Sequence, residues 1–207
     1  MRQKTHSNPD DMPRSLRDPD VRQRRRAMLD SSHMRPLNDY VARLRRECEV
    51  GEIPDFDPLD GGIEAQVLFL FQKAGKQTVG PTGSGFISRN NDDNTANATF
   101  NFMREAGIPR ELTVTWNVVP WWNGEDDVTA PERREGIRCL KELLALLPCL
   151  SAVVLVGGEA QRAWRFVARP DLCVFPSYHP SRRGKTSEQW RAIPQEWAKV
   201  KPILGLS

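Results

Sequence analysis

A chain of 207 residues, 39% hydrophobic and with a formal charge of +3, has enough apolar content for a single core and fits one domain with an extension better than two domains. The charge is uneven: residues 1–35 carry nine Lys or Arg against five Asp and hold +4, while the remainder holds −1, which excludes a uniformly basic nucleic-acid coat. No apolar leader and no run of about 18 apolar residues is present, so neither a secretory signal nor a membrane span is expected.

In chain order, residues 1–35 have few apolar side chains before Met28. They are expected to form a basic, disordered tail, either a phosphate-binding arm or a solubilising extension, ahead of a domain spanning 36–207. Pro36 to Val50 predicts a helix with Leu37, Tyr40, Val41 and Leu44 on one face and Arg43, Arg45 and Arg46 on the other. Val67 to Phe71 is a continuous apolar run, as in a strand buried on both faces. A Gly- and Asn-rich loop from Gln72 to about Asn94 is long enough to suggest function. Thr95 to Ala106 predicts a helix capped by Asp93 or Asn94 and stopped by Gly107. Leu112 to Trp116 predicts a second strand, Pro131 to Leu147 a helix and Ala152 to Val156 a third strand. Glu159 to Val167 predicts a short helix, Leu172 to Phe175 a fourth strand, and Ser187 to Lys199 a last helix broken near Pro194.

Cys48, Cys139, Cys149 and Cys173 form no C-x-x-C pair, which points to free thiols in a reducing, cytoplasmic compartment. The last three lie in apolar stretches and are expected to be buried rather than to ligate a metal. Apolar strands alternating with helices predict an α/β fold, a parallel sheet with helices on both faces. Ligands of such sheets bind beyond the carboxyl ends of the strands, a rule that gathers residues 72–75, 117–122, 157–159 and 178–184 in one place.

Those segments hold the chemistry. Asn117 offers a donor and an acceptor that could read a base edge or satisfy local backbone. His179, set between Tyr178 and Pro180, could donate to a developing oxyanion, act as acid or base, or simply brace a turn. Phe86, in Gly83-Ser84-Gly85-Phe86, could stack on a base or anchor its loop in the core. Ser181, Arg182 and Arg183, with Lys73 and Lys76 across the cleft, could hold phosphates or remain solvated. No Walker loop, dinucleotide fingerprint, nucleophile elbow or zinc-deaminase signature occurs.

The order of these signals is more informative than any one of them. It runs from Gln72-Lys73-Ala74-Gly75 through Gly83 to Phe86, Asn117-Val118-Val119-Pro120 and Gly157-Gly158 to His179-Pro180-Ser181. Over about residues 60–203 this order resembles the uracil-DNA glycosylase superfamily. The resemblance implies a three-layer α/β/α sandwich around a four-stranded parallel sheet. It also implies a metal-independent hydrolase, without cofactor, that removes flipped-out uracil from single- or double-stranded DNA in base excision repair and acts as a monomer. In a bacterium it would be nucleoid-associated.

In the family's pattern Phe86 matches the stacking aromatic and Asn117 the amide that reads uracil. His179 matches the donor to uracil O2, and Gln72 the turn that holds the base and takes part in catalysis. Ser181 to Gly184 matches the loop that enters the helix.

The chain departs from the pattern at three points. The first turn, Gln72 to Gly75, lacks the water-positioning acid; Gln72, a backbone carbonyl or a residue of the loop Asn90-Asn91-Asp92-Asp93-Asn94 could orient the water, and Asp93 is the expected substitute unless it only caps its helix. Gly75 falls where one branch has a methyl-excluding tyrosine, so Trp121 or Trp122 is the expected wall. Arg182 and Arg183 replace the leucine wedge. The alternatives are a catalytically silent nucleic-acid- or nucleobase-binding protein of the same fold, and an adaptor whose basic tail recruits partners.

Overall fold

The computed structural model describes residues 8–47, 51–181, 184 and 186–206. In chain order the elements are α1 (Pro19–Arg26), α2 (Arg35–Glu47), β1 (Asp55–Phe56), β2 (Val67–Lys73), β3 (Phe86–Ile87), α3 (Asn94–Glu105), β4 (Thr113–Val119), α4 (Ala130–Ala145), β5 (Ala152–Val156), α5 (Gly158–Trp164), β6 (Cys173–Ser177) and α6 (Ser187–Ala198). The four longer strands form one parallel sheet in the order β4-β2-β5-β6. A short parallel pair, β1 with β3, stands apart from it.

The two-residue period of a strand decides which helices cover which face. Leu68 and Leu70 of β2, Val114, Trp116 and Val118 of β4, and Val153 and Leu155 of β5 pack with α2, α4 and α5. Val67, Phe69 and Phe71 of β2, with Ala152, Val154 and Val156 of β5, pack with α3 and α6. The result is the expected α/β/α sandwich. Gly136 lets α4 lie directly on the sheet, since a Cβ there would stand 2.2 Å from the carbonyl oxygen of Val118.

Several expectations from the sequence need correction. Residues 8–35 do not hang off the domain: Leu16 and Val21 are buried around Phe86, and Arg25 is only 1% exposed. One arginine of the segment, Arg25, is neutralised inside the fold, in a buried network that composition does not reveal. Asp57 pairs with both Arg25 and Arg110, Arg110 Nε reaches Asp60 at 2.7 Å, and Asp11 bridges Arg110 (2.5 Å) and Arg89 (3.1 Å).

The loop expected from Gln72 to Asn94 contains β3. β4 runs three residues further than expected, because Asn117 and Val119 continue the pairing with Phe71 and Lys73. α6 passes through Pro194 without a break: buried Ile193 and Trp197 on either side hold it on the sheet, which offsets a cost of roughly 3 kcal/mol for an internal proline. Cys139 is buried, but Cys149 and Cys173 are exposed, Cys173 because β6 is an edge strand; Cys48 lies outside the described residues. Among the described residues no helix is long and apolar enough to cross a membrane.

Candidate functional site

A cleft of about 600 Å³ opens at the carboxyl ends of β2 and β4, on the face covered by α3. Alternation along β4 explains its wall: Val114, Trp116 and Val118 point into the core, so Thr115 and Asn117 emerge on the opposite face and line the cleft. Asn117 is 4% exposed, and its carboxamide takes no hydrogen-bond partner among the described residues. Its register neighbour Phe71 supplies an aromatic wall.

His179 comes to the same cleft from the loop after β6, and the elements around it fix its position. The Trp197 indole donates to Ser177 Oγ at 2.8 Å, Gln161 Nε2 donates to the Ser177 carbonyl at 3.0 Å, and the Gly157 amide donates to the same oxygen at 2.9 Å. A tight turn follows, with the Ser181 amide donating to the His179 carbonyl at 2.8 Å. The imidazole meets the Phe71 ring edge-on, with centroids 5.9 Å apart and planes at 86°. Gly157, at φ +91°, leaves room for it, since a Cβ there would lie 3.2 Å from His179 Cβ.

Gln72, Lys73, Lys76, Asp93 and Ser181 also line the cleft, though not all are free to act as expected. Lys73 is not a phosphate-binding cation: its side chain is 3% exposed and its ammonium donates to Asn123 Oδ1 (2.8 Å), the Asp127 carbonyl (3.0 Å) and Glu132 Oε1 (2.8 Å). Burial alone would raise the Glu132 pKa, but hydrogen bonds from Lys73 and Thr129 outweigh it and hold the carboxyl at about 2. Gln72 Nε2 donates to the Asp126 carbonyl at 2.9 Å. Gln72 and Lys73 together thus grip the 123–129 loop and bring exposed Asp126 to the cleft. Asp93 spends one oxygen capping α3, accepting from the Ala96 amide at 2.8 Å, while Lys76 stays exposed.

Phe86 does not reach the cleft. It is fully buried among Leu16, Val21 and Leu29, and a ring enclosed on that side presents no face to a base. Trp121 is buried in the core and Trp122 bridges to Glu52, so neither walls the cleft. Arg182 and Arg183 lie outside the described residues.

Sequence reasoning missed Phe71, Arg89, Thr115 and Asp126, all of which line the cleft, and within the loop from Asn90 to Asn94 it favoured Asp93 over Asn91, which lines the cleft as well. The Thr113-Thr115-Asn117 alternation was a readable signal; the loop residues gave none. The amino terminus of α3 also opens here, through Thr95, Ala96 and Thr99, and its dipole favours negative charge. Among the described residues no group of three or more His, Cys, Asp or Glu is placed to share a metal ion.

Fold and cleft together define an α/β protein with an open cleft of mixed polar and apolar lining at the carboxyl ends of a parallel sheet. The family model described as the uracil DNA glycosylase superfamily matches residues 59–202, and the chain belongs to that superfamily. Membership makes it a DNA glycosylase by kind, a protein that acts on DNA. A search of curated proteins finds no match.

Proposed function

We propose that the protein hydrolyses the N-glycosidic bond of uracil in DNA. The observation that carries this reading is the meeting of the unpartnered Asn117 carboxamide and the His179 imidazole in one cleft of a DNA glycosylase. Flipping a base out of the stack costs a few kcal/mol, and a pocket that packs and pairs with the base offsets it. In this reading Asn117 pairs with the polar edge of uracil and Phe71 walls the ring in place of Phe86.

Breaking the bond leaves the electron pair on the base. His179, donating to uracil O2, stabilises that charge, and the amino-terminal end of α3 favours it further. Lys76 and Ser181, with Arg182 and Arg183, would meet the phosphates. Water is the only co-reactant, the products are free uracil and an abasic strand, and the protein works as a cytoplasmic monomer.

The rival, a silent binder of nucleic acid or nucleobases, draws on the lysine that stands in the first turn, and one experiment separates the two. The protein is incubated with oligonucleotides bearing uracil, thymine or hypoxanthine at one position, and released base is measured by chromatography. Release of uracil, with thymine retained, supports the proposal. Binding without release of any base supports the silent reading.

A further inference from the structure

Hydrolysis needs a water held against the sugar, and the expected groups are occupied. The first turn carries Lys73 and no carboxylate, and Asp93 gives an oxygen to its helix. The wall formed by residues 88–93 supplies another candidate. Asn91 lines the cleft and is 2% exposed. Its Nδ2 donates to the Phe86 carbonyl at 3.0 Å, which fixes the end of the amide that is oxygen. That oxygen, Oδ1, is buried and has no partner among the described residues. A buried polar atom left unpaired is costly, so an amide oxygen unpaired on a cleft wall marks a surface completed by something that enters the cleft.

We propose that Asn91 Oδ1 orients the attacking water, an inference that rests on the glycosylase reading above. The water donates one hydrogen to Oδ1 and so presents a lone pair to C1′. The C1′–O bond forms as the C1′–N1 bond breaks, and N1 keeps the electron pair. The proton that the attacking oxygen then loses passes through solvent to the departing uracil anion. An amide oxygen is too weak a base to take the proton itself. Holding the water in place is sufficient where the sugar already carries cationic character.

The test is single-turnover release of uracil from a single-stranded oligonucleotide, alongside affinity for an oligonucleotide carrying a non-hydrolysable 2′-fluoro uracil nucleotide. Asn91→Ala is expected to slow release by about 10²-fold and to leave affinity within about twofold. Undiminished release, or affinity lost in step with rate, overturns the assignment. If the wild type itself releases no uracil, the glycosylase reading fails and this inference falls with it; an active wild type beside an equally active Asn91→Ala sinks the inference alone. A melting curve establishes whether the alanine variant folds. If it does not, Asn91→Asp decides: its titrating oxygen should give the rate a pH dependence that the wild type lacks, and superimposable pH profiles overturn the role.

Discussion

Asn117 and His179 were legible in the sequence because each closes a recognisable strand, and a parallel sheet delivers its strand ends to one place. Substituting either with alanine is expected to lower uracil release by about 10²–10³-fold while the melting temperature stays near the wild-type value, since neither contributes to the core clusters. Gly157 belongs to the same scale. Gly157→Ala forces a side chain into a left-handed backbone and against His179, at a cost of about 1–3 kcal/mol. Its rate should therefore fall by more than its lost stability explains, as activity measured well below the melting temperature would show. Lys73 was misread because nothing in the sequence says that Asn123, Asp127 and Glu132 fold over it.

At the scale of elements, the strands and most helices follow from apolar periodicity, and the differences come from tertiary partners. β4 continues through Val119 because β2 extends beside it, and α6 continues through Pro194 because Trp197 is anchored to Ser177. β3 escaped notice since its two residues pair only with β1. The consequence for Phe86 is testable: as a core residue beneath the amino-terminal segment, Phe86→Ala should destabilise the protein by about 3–5 kcal/mol, read by chemical denaturation. Phe71→Ala, in contrast, should weaken binding of uracil-containing DNA through loss of the cleft wall. A Phe86→Ala protein of unchanged stability with lost DNA affinity would restore the stacking role to Phe86.

For the whole molecule, the segment before the family-matched region is a structural part of the fold, held by buried charges that composition could not reveal. Burial opposes ionisation of Asp57, but Arg110 and Arg25 outweigh it and hold its pKa at about 2, against an unfolded value of 3.8. Its contribution to stability is therefore present above about pH 4 and lost as pH falls towards 2. Asp60 acts in the opposite sense: burial, aided by Asp57, raises its pKa to about 6, so its ionisation costs stability as pH rises from about 4 to 6. Asp57→Asn should remove the loss on the acid side and, by leaving Arg25 and Arg110 under-compensated, cost about 3–5 kcal/mol at neutral pH. Denaturation midpoints measured across pH 2–7 check both effects. The central claim, that this cleft removes uracil from DNA, is tested most directly by incubating the protein with a uracil-containing strand and then with alkali. Scission at the uracil by the wild type, lost in Asn117→Ala and absent when thymine replaces uracil, is the predicted result; an intact uracil-containing strand after treatment with folded wild-type protein would contradict it.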